Sequence, residues 1–196
     1  MPEARGEKAA LRSLLLAARA RRSEEQRAQA GRLIRDALLG LPEMGMAGTV
    51  AAYYSVGSEP DTRGLIFALW KRGTYVLLPI LREDGDLDWA SYEGPESLVR
   101  GRRGLWEPGE EARGVDAVAR SDVVLAPALA VDRAGNRLGR GGGSFDRALV
   151  RVGALIPVIA LLYDDELVKR VPNEPHDLRV RAVARPATGI TTLPAS

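Results

Sequence analysis

The order of apolar and polar positions along the chain predicts two opening helices, then strands that alternate with helices. Leu11, Leu14, Leu15 and Ala18 recur on one face at helical spacing, which predicts a helix over residues 7–22. Ser23 follows as an N-cap, with Gln26 completing a capping box, so a second helix should run to about Leu39, ahead of Pro42. The period then changes. β-Branched and aromatic residues fill 49–55 ("TVAAYYS") and 74–81 ("TYVLLPIL"), predicting two strands joined through the polar loop "VGSEPDT" and a helix containing "LIFALWKR". Residues 86–92 ("DLDWASY") alternate and predict a shorter, half-exposed strand. The breaker-rich "EGPESLVRGRRGLWEPGEEARGVDA" after it predicts a long loop over a site. Regular order resumes with a strand at 122–131, a glycine-rich loop, a helix from about Phe145 and a strand at 156–163. The short amphipathic "DDELVKRV" and a last strand near "RVRAVA" end the series.

This alternation predicts one α/β domain across residues 1–196: three layers, Rossmann-like, with a mostly parallel central sheet flanked by helices and the helices of 7–41 packed on it. No internal repeat or linker divides it. Ligands of such sheets bind at loops leaving the carboxyl ends of strands, and the glycine-rich stretch occupies one of these loops.

Composition narrows the chemistry. The chain has no cysteine, which removes disulfides, thiolate metal sites and a thiol nucleophile. The N-terminal sequence lacks the pattern of a signal peptide and no apolar run reaches membrane-spanning length, so a soluble, cytoplasmic protein is expected. Lys and Arg number 28 against 26 Asp and Glu, a net charge of +2, which is too balanced for a dedicated nucleic-acid binder. The basic group Arg19, Arg21 and Arg22 is interrupted by Glu24 and Glu25 and reads as a solvated helix face.

Five glycines fall between Gly135 and Gly143, with Arg137 and Arg140 among them. A strand, a glycine loop and a helix start together form a phosphate cradle: glycines admit close backbone approach, free N–H groups face the anion, and arginines add charge-assisted bonds worth about 1.5–3 kcal/mol each. "GRGGGS" fails the P-loop pattern for want of a lysine, and Ser144 breaks the dinucleotide pattern. A tight strand-to-helix connection remains open on composition alone. Ser144 suits either a helix cap or a site residue, and Asp146 either the first helical turn or a magnesium ion beside phosphates.

"GNRLGRGGGSFDRAL" resembles the signature of the 5-formyltetrahydrofolate cyclo-ligase family. The resemblance extends through "KAALR", "YYSVGSEPDT", "VLLP", "GLWEP" and "VPNEPHDLRV", in the family's order. It implies ATP- and magnesium-dependent closure of 5-formyltetrahydrofolate to 5,10-methenyltetrahydrofolate, with release of ADP and phosphate, through a phosphorylated formyl intermediate. Hydroxide is a poor leaving group and phosphate a good one, which explains the ATP. Carried over by position, the resemblance assigns ATP binding to Lys8, Arg12 and the loop Arg137, Leu138, Gly139, Arg140, Gly141, Gly142, Gly143, Ser144 and Phe145. It assigns folate binding to Tyr54, Glu59 and the shared segment Arg140–Ser144, catalysis to Arg140 and Ser144, and magnesium to Asp146 and Asp177. Many members carry two aromatic residues where this chain has Ser144 and Phe145. Trp106 is read either as a pocket wall or as a loop anchor, and His176, the only histidine, as a loop residue rather than a general base. The expected partners are the two small substrates, without nucleic acid or membrane, in a monomer or weak homodimer. A non-catalytic folate- or nucleotide-binding protein on the same scaffold is the alternative. An RNA-binding or phosphosugar-processing domain fits the aspartates and the "EPDT" loop less well.

Overall fold

Strand and helix alternate around one seven-stranded sheet in a computed structural model, which describes residues 2–172 and 178–194. Two helices come first, α1 (Pro2–Ala20) and α2 (Glu24–Leu39). The cap of α2 is the one its sequence predicts: Ser23 Oγ accepts the Gln26 N–H at 3.1 Å, and Gln26 Oε1 accepts the Ser23 N–H at 2.9 Å. A short α3 (Pro42–Met46) leads to β1 (Thr49–Ala51), α4 (Arg63–Lys71), β2 (Tyr75–Leu81) and β3 (Leu87–Ser91). The stretch expected to be a long loop contains an antiparallel hairpin, β4 (Leu98–Arg100) with β5 (Trp106–Pro108). The second half holds β6 (Val123–Pro127), β7 (Ala130–Asp132), β8 (Arg137–Leu138), α5 (Ser144–Leu149), β9 (Val158–Leu161), β10 (Leu167–Val168), β11 (Ala182–Arg185) and β12 (Gly189–Thr192).

The main sheet runs β12-β11-β9-β6-β1-β2-β3. Its five central strands are parallel, and β3 and β12 are antiparallel edges. Strand alternation sorts side chains onto two faces. Val50, Val76, Leu78, Val123, Leu125 and Leu161 join Ile34 and Leu38 of α2 and Leu65, Ile66 and Leu69 of α4 in one core. Their neighbours Ala51, Leu77, Val124, Ala126 and Ala160 join Ala148 and Leu149 of α5 and Trp89 in the other.

Four expectations change for identifiable reasons. The first strand stops at Ala51 because hydroxyls take over the backbone bonds beyond it: Thr62 Oγ1 donates to the Tyr53 carbonyl at 2.7 Å and accepts the Ser55 N–H at 2.9 Å. The strand expected at 122–131 is two strands. Pro127 ends the ladder of β6, and the chain turns into a separate sheet, β10-β7-β8, that packs on Leu15 of α1. Edge strand β3 is largely buried, because the 3₁₀ turn of residues 115–120 and α5 pack near it. In α1 the buried positions are Leu15 and Arg19, whereas Leu14 is exposed. Arg19 is therefore not part of a solvated basic face.

Candidate active site

A cavity of about 290 Å³ opens where the strand order reverses, between the carboxyl ends of β1 and β6. Tyr53, Tyr54, Val56 and Glu59 enter from the loop after β1, and Pro127 and Ala128 from the break after β6. Residues Gly139 to Asp146 form another wall, and Arg103, Leu105, Trp106 and Glu107 of the hairpin line it too. Two loops distant in sequence thus share one cavity.

The glycine loop is shaped by its backbone. Gly141 (φ 104°) and Gly143 (φ 70°) occupy the left-handed region that a side chain disfavours. Gly143, not Ser144, is the N-cap of α5, and no side chain caps that helix. Arg12 reaches across from α1 to donate its Nε–H to the Gly139 carbonyl at 2.9 Å, with its guanidinium beside Gly141. Lys8 stands one turn earlier on α1; neither it nor Arg12 is part of the cavity lining. Leu138 lies behind the loop, buried against Leu15.

Arg137 is buried and braces the site from within. It donates to the Pro127 carbonyl at 2.8 Å and pairs with Asp146 on the first turn of α5. Arg140 is half-exposed and faces Glu59 at 3.5 Å. Glu59 Oε2 accepts the Val56 N–H at 2.9 Å. Burial pushes the Glu59 carboxyl up, opposed by that hydrogen bond and by the Arg140 charge. Burial likewise raises the Tyr54 phenol. Phe145 stands edge-on to Tyr53 and to Trp89, 6.2 Å between centroids in both cases, and so touches both cores. Asp177 and His176 lie outside the described residues.

Three contributors escaped the sequence reading. Tyr53 lines the cavity with a buried hydroxyl that has no hydrogen-bond partner among the described residues, and its burial pushes the phenol well up. Its β-strand character hid it. Arg19, on α1, forms two hydrogen bonds to Glu166, at 2.7 and 2.8 Å, and donates to the carbonyl of the cavity residue Ala128 at 2.6 Å. The helical offset Leu15 to Arg19 carried that signal, but neighbouring arginines masked it. Arg103 lines the cavity from the hairpin.

The described residues contain no group of three or more His, Cys, Asp and Glu able to hold a metal by themselves. Magnesium commonly takes one or two carboxylates and completes its shell with phosphate oxygens and water. Asp146, a half-exposed carboxylate beside the glycine loop, matches that donor set.

An open α/β sheet with a glycine loop and arginines converging at its switch point has the arrangement of a ligand-binding site. Residues 4–186 match the 5-formyltetrahydrofolate cyclo-ligase family. The chain is 41% identical over 191 residues to the 5-formyltetrahydrofolate cyclo-ligase of Mycolicibacterium smegmatis, covering 95% of this chain and 97% of that one. It is 34% identical over 166 residues to the enzyme of the same name from Escherichia coli, covering 83% and 91%. Its fold is similar to the solution structure of Aquifex aeolicus 5,10-methenyltetrahydrofolate synthetase, with a TM-score of 0.83 at 27% identity, covering 96% and 94%. The chain belongs to the 5-formyltetrahydrofolate cyclo-ligase family, a family of enzymes.

Proposed function

We propose that the protein converts 5-formyltetrahydrofolate and ATP to 5,10-methenyltetrahydrofolate, ADP and phosphate. The observation that carries the reading is the approach of Arg140, from the glycine loop, to the buried Glu59 within one cavity. It joins a phosphate-type loop to a carboxylate suited to the N–H groups of a pterin. The formyl oxygen attacks the γ-phosphorus and ADP leaves. Nitrogen 10 then attacks the formyl carbon and loses its proton, and the carbon–oxygen bond breaks as phosphate departs with the electron pair.

The protein's work is alignment and charge balance. Gly139 to Gly143 bring backbone to the phosphates, Arg12 holds the loop from α1, and Arg140 supplies positive charge between the two substrates. Lys8 adds a second cation on the same helix, and Ser144 contributes a hydroxyl beside the reacting groups. Arg137 holds Asp146 at the loop and fixes the floor through Pro127. Tyr54 and Phe145 give apolar surface for the pterin ring. Asp146, with Asp177, would hold a magnesium ion, which when bound neutralises phosphate charge. In this reading the enzyme works in the cytoplasm as a monomer or weak homodimer, without nucleic acid or membrane; no described helix is long and apolar enough to cross a bilayer.

Purified protein given 5-formyltetrahydrofolate is expected to form the methenyl chromophore only with both ATP and magnesium, with one ADP per product. Binding of both substrates without phosphate release would instead select the non-catalytic alternative.

A further inference from the structure

The glycine loop is tied to a turn that lies outside the cavity lining. Residues 82–86 join β2 to β3, and the turn closes on itself: the Arg82 N–H donates to the Asp86 carbonyl at 3.0 Å and the Gly85 N–H to the Arg82 carbonyl at 3.2 Å. Arg151, just past α5, grips the turn by charge, with its two terminal nitrogens 3.0 and 2.6 Å from the Asp86 oxygens. Arg147, on α5, grips it by backbone. Its Nη2 donates to the Gly85 carbonyl at 2.5 Å and to the Gly142 carbonyl at 3.3 Å. One guanidinium thus spans the turn and the glycine loop. Two glycines make its seat: a Cβ at Gly85 (φ 80°) would stand 2.9 Å from Nη2, and one at Gly143 would stand 3.0 Å from Nη1.

The direction of a carbonyl sets the direction of the next N–H. In a trans peptide the two point opposite ways across one plane, so holding the Gly142 carbonyl toward Arg147 turns the Gly143 N–H away from it. Glycine takes either sign of φ at little cost, so a peptide between two glycines has no side chain to choose its orientation. A loop that binds an anion needs its N–H groups, and not its carbonyls, facing that anion. Arg147 makes the choice from outside: it is absent from the cavity lining, whereas Gly142 and Gly143 are part of it.

We propose that Arg147 is a positioning residue, which, braced on the β2–β3 turn, fixes the Gly142–Gly143 peptide so that the Gly143 N–H is presented to the phosphates of ATP. The proposal rests on the nucleotide reading of the loop given above.

The test titrates Mg-ATP by calorimetry into the wild type, R147M, R147K, G85A, G85A/R147M and R151M, and follows amide hydrogen exchange in residues 139–149 of each. R147M is expected to raise the dissociation constant about fivefold or more, as loss of an exposed charge-assisted bond would, and to raise the KM for ATP in step. Exchange in the loop quickens with it, and R147K recovers part of both losses. G85A leaves the arginine in the sequence but fills its seat, so it weakens ATP binding to a similar extent and adds less than about twofold in the R147M background. R151M, which removes the ion pair to the same turn, costs at least as much stability in urea yet keeps the dissociation constant within about twofold of the wild type. Wild-type affinity in R147M overturns the proposal. So does a loss in R147M that G85A does not reproduce and loop exchange does not register, since the arginine would then meet phosphate directly. Equal weakening by R151M overturns it as well, by marking general destabilisation. If exchange quickens in R147M and G85A while the wild type binds no ATP, the clamp on the loop stands and the nucleotide reading falls.

Discussion

Asp146 and Arg137 share a contact but not an environment: the Arg137 side chain is 2% exposed and that of Asp146 is 56% exposed. An asparagine at 146 keeps an oxygen for Arg137 while losing the charge. Asp146→Asn should therefore cost about 1 kcal/mol of stability, after allowance for solvent screening, and lower turnover by about a hundredfold or more if Asp146 meets the metal. Parallel urea unfolding and steady-state assays would check this, and equal losses in both would mark Asp146 as structural. Glu59 has the opposite balance. Its carboxyl is raised above 4.5, chiefly by burial, so the folded state holds that proton more firmly than the unfolded chain does. Stability contributed by the protonated form is lost as pH rises from about 4.5 through the raised value. Glu59→Gln should remove that loss and raise Tm at pH 7. It should also weaken folate binding about tenfold or more. A variant that is neither more stable nor weaker in folate binding would contradict this account.

At the scale of elements, α1 is fastened by one buried cation. Arg19 and Glu166 are 147 residues apart in sequence and nearly without solvent contact. Removing one partner leaves the other charge buried, so Arg19→Met should cost about 3–5 kcal/mol. Adding Glu166→Gln keeps an acceptor for the Tyr163 N–H and should recover part of that loss. Because α1 also carries Arg12 to the Gly139 carbonyl, Arg19→Met should raise the KM for ATP more than that for folate. Chemical denaturation of the two variants, with both KM values, separates these effects. The helix itself was legible from its apolar spacing, but the burial of Arg19 was not, because a local window shows three arginines and hides their distant partner. The glycine loop was legible for the converse reason. Gly139 to Asp146 are contiguous, so one segment carries its own turn chemistry and charge.

In the whole molecule, the parallel sheet and its two covered faces followed from alternating apolar runs, and the position of the glycine loop after a strand pointed to the carboxyl ends of the strands. The departure of β7 into a second sheet did not follow. Ala128 and Leu129 are as apolar as a continuing strand, and only the Pro127 end and the Leu129 N–H to Leu138 carbonyl bond, 2.7 Å, turn the chain away. The hairpin was hidden by its breakers. Its placement, with that of Trp89, has an optical consequence. Trp89 has no exposed surface and its indole N–H has no hydrogen-bond partner among the described residues, so its emission should be blue-shifted. Trp106 is 39% exposed, lines the cavity, and should emit at longer wavelength. Ligand entry should alter the red edge of the spectrum and leave the blue component in place, whereas unfolding should extinguish the blue component. A Trp106→Phe protein should lose the first signal and keep the second. With the half-buried Trp70 of α4 as a constant third emitter, the chain thereby contains separate native dyes for occupancy and for integrity, one on the wall of the cavity and one in the core behind Phe145.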